Sequence, residues 1–225
     1  MVVTTREELK FFMLADMMMN KRTFKYSIRQ RFETFLSPDY VIQYLQAMRK
    51  TSFHKFKVSH LLQIKNSKCG VRCLFSIVYH FMCYALNYSR FSRLGVKLGF
   101  SIGYNTLGYG VWIPHHGTII VGDSNRLGNF ACLHSSICIT STGKTIGENC
   151  FIGTGAKLIS HFDLGNNVQV GANSVVNKTF KDKVCLVGSP ATVKKLVDDP
   201  WWKDSNLEQC VKSIIQLKRE MNLNI

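Results

Sequence analysis

A six-residue period runs through the second half of this chain and restricts its fold more than any other feature. Val121, Leu127, Leu133 and Ile139 lie six apart. After one step of seven, Ile146, Ile152, Leu158, Leu164, Val170 and Val176 resume the spacing. Glycine follows the aliphatic residue at Val121-Gly122, Leu127-Gly128, Ile146-Gly147, Ile152-Gly153, Leu164-Gly165 and Val170-Gly171. A hexapeptide repeat marks a parallel β-helix, in which three hexads, about 18 residues, close one triangular coil. The aliphatic side chain points into a narrow core. The glycine after it either turns the corner with positive φ or permits close backbone approach. Each coil pairs only with its neighbours.

The register breaks twice. One residue is inserted between Ile139 and Ile146, and the phase shifts by two between the weaker hexads Leu107, Ile113, Ile119 and Val121. Insertions in solenoids become loops or bulges on one face, often the working face. The second break contains Pro114-His115-His116-Gly117-Thr118.

Before Gly95 the texture is helical. Thr5 stands three residues before Glu8 and an apolar run, a capping-box pattern. Pro38 after Ser37 should open a helix through Arg49, followed by helices over Ser59–Lys65 and Gly70–Arg93. The aromatic stretch Tyr79–Phe91 reads as a helix packed on its neighbours, with a membrane-surface helix as the competing reading. The coil should end near Val187-Gly188-Ser189-Pro190-Ala191. A last helix, roughly Ser205–Met221, is then expected to pack back and cap the open end. The predicted class is α+β: a helical segment over 1–95, a parallel β-helix over 96–192 and a C-terminal capping helix within 193–225.

Charge follows the same division. The chain of 225 residues carries a formal charge of +15; residues 1–99 hold 17 basic and 5 acidic side chains, and residues 100–225 hold 12 and 9. An anionic partner is therefore sought at the N-terminal segment. No nucleic-acid motif accompanies the charge, so a nucleic-acid partner is not expected. A membrane surface or a lipid-linked intermediate is the preferred anionic partner. No stretch reaches the roughly 20 apolar residues that span a bilayer, and the N-terminus lacks the pattern of a secretory signal. The 8 cysteines show no zinc-finger spacing and read as small buried residues of a reducing, cytoplasmic protein, peripheral at most to the inner face of the membrane. No metal site is expected.

Three stretches carry a resemblance to the left-handed β-helix acyltransferases. His115-His116-Gly117-Thr118-Ile119-Ile120-Val121-Gly122 resembles the family's His-x-x-Gly-Ile-Val-Val-Gly. Ile152-Gly153-Thr154-Gly155-Ala156-Lys157-Leu158, followed by Val170-Gly171-Ala172-Asn173-Ser174-Val175-Val176, is the second, and Gly188-Ser189-Pro190-Ala191 the third. The resemblance covers about residues 95–195. It is nearest to the serine acetyltransferase branch, including relatives encoded with surface-polysaccharide genes.

The resemblance implies an enzyme that transfers acetyl from acetyl-CoA to a hydroxyl, with a left-handed coil and a homotrimer whose sites lie between chains. It makes His115 the general base, and an imidazole has the proton affinity for that task near neutral pH. His116, one residue on, is the competing assignment. His134 lies on the coil above and either orients His115 or the acceptor, or is a packed polar residue. Thr154 and Ala172, 18 residues apart, would line the groove for the pantetheine arm, with Gly153 and Gly171 beside them. Lys194 and Lys195 are partners for the nucleotide phosphates or plain surface lysines. His161 receives no role.

The departures bear on the acceptor. The family's longer loop after the lysine matched by Lys144 is missing. Pro114 stands where the family places an Asp, and no carboxylate occurs between Gly99 and Gly122. A desolvated ammonium needs an anionic partner, so a sugar hydroxyl of a surface polysaccharide is favoured over serine. Serine acetylation is the alternative, and a non-catalytic β-helix scaffold is the reading from another class.

Overall fold

The computed structural model describes residues 1–21, 38–68 and 71–225. Helix α1 (Arg6–Met19) begins with the expected capping box: Thr5 accepts from the Glu8 amide, and the Glu8 side chain reaches back to the Thr5 amide. Helix α2 spans Tyr40–Lys68 and helix α3 spans Val71–Leu98. Asp39 caps α2, its Oδ1 accepting from the Ile42 amide at 3.1 Å.

Two of the sequence expectations change here. The helices foreseen over 38–49 and 59–65 are one continuous α2. Between them Thr51, Ser52 and Phe53 are buried, so tertiary packing carries the helix through a stretch with no clear apolar period. The next helix also runs past Gly95 to Leu98. Gly95 is a helical residue at a tight contact, where a Cβ would stand 2.8 Å from the Phe100 carbonyl oxygen. Ser37 and Gly70, which figured in those readings, lie outside the described residues.

From Phe100 the chain winds into a parallel β-helix with three faces. One face stacks β1 (Phe100–Ile102), β2 (Ile119–Val121), β5 (Ile137–Ile139), β8 (Lys157–Leu158) and β11 (Val175–Val176). The second stacks β3 (Arg126–Leu127), β6 (Thr145–Ile146) and β9 (Asp163–Leu164). The third stacks β4 (Cys132–Leu133), β7 (Phe151–Ile152), β10 (Gln169–Val170), β12 (Val184–Gly188) and β13 (Ala191–Leu196); only β12 and β13 pair antiparallel. All ten aliphatic positions of the repeat are buried, none more than 3% exposed.

The corner glycines serve close approach, not positive φ. A Cβ on Gly147 would meet the Gly165 carbonyl carbon at 2.6 Å, and one on Gly128 would meet the Gly147 carbonyl carbon at 2.7 Å. The left-handed conformation falls two residues later, for example at Phe130, Asn149, Asn167 and Asn173, and asparagine tolerates that region better than most residues. The seven-residue step is taken up at Ser141–Lys144. Lys144 folds inward there, its Nζ donating to the Thr140 carbonyl at 2.8 Å and to the Thr140 and Thr142 hydroxyls.

The helices and the coil share one core. Tyr44, Leu45, Met48, Phe91, Leu94 and Leu98 belong to the same buried cluster as the coil aliphatics, so no boundary in the packing falls at residue 95. A buried ion pair fastens the junction. Arg49 Nε donates to Asp16 Oδ2 at 2.9 Å, and its other nitrogens donate to the Leu107 and Gly108 carbonyls. Asp16 in turn accepts from the Val111 amide at 3.2 Å.

The C-terminal helix α4 (Glu208–Glu220) is present, but it does not lie across the last coil. Leu207, Val211 and Ile214 pack with Phe11, Phe12 and Ala15 of α1 and with Tyr109 and Phe130 of the first coils. The chain leaves β13 and returns along the solenoid through Trp201 and Trp202, whose indoles donate to the Phe130 carbonyl and to Asn149 Oδ1, both at 2.9 Å. The apolar side of α4 thereby completes the aromatic cluster beside α1.

The cysteines differ among themselves. Cys132 and Cys150 are buried, and burial pushes the Cys150 thiol up to about 12. Cys83, Cys138, Cys185 and Cys210 are half-buried. Cys73 is disulfide-bonded, and with the four half-buried residues this corrects the reading of all eight as small buried residues of a reducing compartment. Among the described residues no helix is long and apolar enough to cross a membrane.

Candidate active site

The second register break forms a bulge. Trp112 pairs with Cys132 and Ile119 with Ile137. The chain thus takes seven steps from Trp112 to Ile119, where its neighbour takes five. The surplus pushes Pro114–Thr118 outward and leaves His115 and His116 exposed. Asn20, at the end of α1, braces the approach to the bulge, donating to the Val111 carbonyl at 2.8 Å and accepting from the Ile113 amide at 3.3 Å.

The bulge stands over a corner that contains most of the residues singled out from the sequence. Leu133, Ile152, Val170 and Leu186 are in register on the third face. One residue on, this places His134, Gly153 and Gly171 in a column, and two residues on it places Ser135, Thr154 and Ala172 in the next. Backbone bonds tie the columns: His134 donates to Ile152, Gly153 to Val170, Gly171 to Leu186 and Asn173 to Thr154. Thr154 and Ala172 are exposed. Gly153 and Gly171 leave room for the coil above, since a Cβ on either would come within 2.8 Å of it. Lys194 and Lys195 are exposed on β13, at the far edge of the same face, with Lys195 opposite Cys185. Strands stack about 4.8 Å apart, so the rows from His134 to β12 span about 14 Å.

His134 is half-buried in rings. Its ring centroid lies 5.0 Å from that of Phe151 and 6.2 Å from that of Trp112. Trp201 stacks on Trp112 at 5.3 Å with an interplanar angle of 7°. Burial lowers the His134 pKa, and the neighbouring His115 lowers it further. His134 is therefore an uncharged imidazole at neutral pH, within electrostatic reach of His115.

A cleft of about 580 Å³ opens between the bulge and the helices, with His115, His116 and Trp112 on one side and Asn20, Asp39, Tyr40 and Leu98 on the other. Asp39 was missed from the sequence, where carboxylates were sought only beside the histidines. The N-terminus of α2 brings it in from 76 positions upstream of His115. Trp201 was missed as well. Its one signal was the Trp-Trp pair after Pro200 in a polar stretch. Lys144 and His161 lie elsewhere: Lys144 is buried at the seven-residue step, and His161 is exposed and bonded to the Thr142 carbonyl. Among the described residues no group of three His, Cys, Asp or Glu is placed to hold a metal ion.

Residues 143–178 match the bacterial transferase hexapeptide (six repeats) model. The matched residues are the coils from β6 to β11 of the parallel β-helix. Among curated proteins, this hexapeptide-repeat chain is similar to the serine acetyltransferase of Synechococcus elongatus, 30% identical over 94 residues, which is 39% of this chain and 38% of that one. It is also similar to the serine acetyltransferase of Staphylococcus xylosus, 29% identical over 96 residues, 40% of this chain and 44% of that one. The matched stretch thus spans less than half of each relative. Among solved structures, the serine acetyltransferase of Neisseria gonorrhoeae superposes with a TM-score of 0.56 at 19% identity, covering 87% of this chain and 70% of that one. A serine acetyltransferase in complex with CoA gives 0.55 at 16%, covering 84% and 70%. The left-handed β-helix expected from the resemblance is the fold these share with this chain.

Proposed function

We propose that the protein is an acetyl-CoA-dependent O-acetyltransferase acting on a small hydroxyl-bearing acceptor, and that serine is favoured over a polysaccharide sugar. The observation that carries this is that His115 and Asp39 line one cleft, beside a corner of small residues. Relatives named serine acetyltransferase support the reaction class. Structural neighbours described in complex with CoA and with serine share the fold.

In this reading the acceptor oxygen attacks the thioester carbonyl while His115 takes the hydroxyl proton. The tetrahedral intermediate collapses, the carbon–sulfur bond breaks, and the leaving thiolate recovers the proton from the imidazolium. Positioned base catalysis of this kind contributes about 10²–10⁴-fold. His134, held uncharged, orients His115 without competing for its proton. Exposed small side chains at Thr154 and Ala172 let an extended pantetheine arm lie against the corner. Lys194 and Lys195 stand at the far edge, where nucleotide phosphates would end. A homotrimer would supply the opposite wall of that groove. The preference for a sugar rested on a missing carboxylate. Asp39 brings one to the lining of the cleft, and the relatives named serine acetyltransferase move the preference to serine.

The test is thiol release from acetyl-CoA with the full-length protein, offered L-serine or a nucleotide sugar. Turnover with serine is expected. His115→Ala should lower kcat by about 10²–10⁴-fold. Asp39→Asn, which keeps the helix cap, should raise KM for serine and leave KM for acetyl-CoA unchanged. Full turnover in His115→Ala would move the base to His116. Failure to bind coenzyme A or to release thiol with either acceptor would leave the scaffold reading in place.

A further inference from the structure

Helix α3 is apolar on the side that faces away from the protein. Phe75, Val78, Tyr79, Met82 and Leu86 follow the spacing of a single helical stripe, and they are 72%, 48%, 56%, 58% and 69% exposed. This is not the packing side of the helix. The opposite side buries His80, Phe91, Leu94 and Leu98, with His80 against Phe53 and His54 of α2. Soluble surfaces rarely leave so continuous an apolar patch open. The core of the protein gains nothing from it.

The charge on the two helices α2 and α3 is of one sign. From Tyr40 to Gly122 the sequence holds 10 lysines and arginines and not one aspartate or glutamate. Arg49 is consumed by its buried pair with Asp16. On α3 itself, Arg72 precedes the stripe, and Arg90, Arg93 and Lys97 follow it, all exposed. Arg90 and Arg93 donate to uncharged acceptors, Gln43 Oε1 at 2.9 Å and the Ser89 carbonyl at 3.3 Å, so their charge is left for an outside partner. Lys97 lies over the Tyr40 ring at 3.6 Å, and Lys55 of α2 over Tyr84 at 5.3 Å.

We propose that the outward face of α3 docks on an anionic lipid bilayer. The helix lies in the plane of the interface, with Phe75 to Leu86, about 16 Å of helix, among the upper acyl chains. Arg72, Arg90 and Arg93 sit at the headgroups. Apolar and basic residues on one helix are the combination that binds such surfaces. Charge decides against the other occupant, a second copy of the chain. Two copies meeting stripe to stripe would bring like-charged surfaces within a Debye length of about 8 Å, whereas anionic headgroups supply the counter-charge. The argument is independent of the acetyltransferase reading, and its test uses no acyl donor.

The experiment is co-sedimentation of the full-length protein with phosphatidylcholine vesicles and with vesicles that also contain phosphatidylglycerol. Binding is expected to the mixed vesicles, to weaken as salt rises, and to be slight on phosphatidylcholine alone. Phe75→Ser/Met82→Ser/Leu86→Ser and, separately, Arg72→Glu/Arg93→Glu should each lower binding at least about tenfold. These side chains are exposed, so an unchanged thermal melt is expected to show that the fold survives. Protein remaining in the supernatant with both vesicles, equal binding to both, or undiminished binding of either variant would overturn the proposal. So would a wild type that ignores lipid and whose assembly shrinks, by light scattering, when the three serines are introduced; the stripe would then belong to a second copy.

Discussion

At Gly147 the structure leaves no room for a methyl group. A Cβ there would stand 2.6 Å from both the carbonyl carbon and the carbonyl oxygen of Gly165 in the next coil. Those are backbone atoms, so relief requires moving a coil. Gly147→Ala is expected to destabilise the protein by about 1–3 kcal/mol, the usual cost of overpacking. Chemical denaturation measures it, and a midpoint equal to wild type would refute the close-approach account. The same reasoning separates the residues of the site. His115 and His116 differ by one position in the sequence, yet both project from the bulge and line the same cleft. Only the variant kinetics above distinguish them. His134 is distinguished by burial, and its neutrality follows from the rings around it.

At the scale of elements, the α2–α3 hairpin contains a pH-sensitive contact. His54 and His80 face each other, Nδ1 to Nδ1, at 2.8 Å. Burial lowers the His54 pKa from 6.5 to about 4, with His80, Lys50 and Arg6 adding to the effect. Burial, Lys57 and Arg6 lower that of His80. A group whose folded pKa is depressed binds more protons when unfolded. Its contribution to stability is therefore intact above pH 6.5 and is lost as pH falls toward 4. Thermal melts should show a lower Tm at pH 5 than at pH 7, and His54→Leu should flatten that dependence. Equal slopes in wild type and variant would remove the histidine pair as the cause. The corner columns show a second property of elements. Backbone bonds such as that from Asn173 to Thr154 keep Thr154 and Ala172 in line, so the groove follows the stacking of the coils.

For the molecule as a whole, the junction between helices and coil is the decisive feature. Arg49 is 0% exposed and Asp16 1%, and together they tie α1 and α2 to Leu107, Gly108 and Val111 of the first coil. Arg49→Met would leave the Asp16 charge buried without its partner, at a cost of about 3–5 kcal/mol. Because the two halves share one core, they should unfold in a single transition, which that variant shifts as a unit. Calorimetry showing an unchanged coil transition alongside a lowered helical one would contradict the shared core. Helix α2, which this junction fastens, follows Asp39, and Asp39 lines the cleft with His115. A loosened junction therefore affects both stability and the proposed site.

Much of this protein could be read from the chain alone, because the information repeats locally. Ten aliphatic residues six apart dictate the inward rows. Glycine after them allows the coils to stack, and the capping box starts α1. Two surplus residues around His115 dictate a bulge. Each of these is decided by residues within a coil or a helical turn of one another. Other features depended on contacts between distant segments, for which no periodic signal exists. The burial of Thr51–Phe53 made α2 continuous. The pocket beside Tyr109 and Phe130 drew α4 away from the last coil. The packing of the α2 N-terminus on the first coil carried Asp39 to the histidines, and the return of the chain through Trp201 closed the aromatic wall around His134. A pattern specifies which side chains must leave water. Only the assembled core specifies which partner they find, because equally apolar surfaces compete and shape and area choose between them.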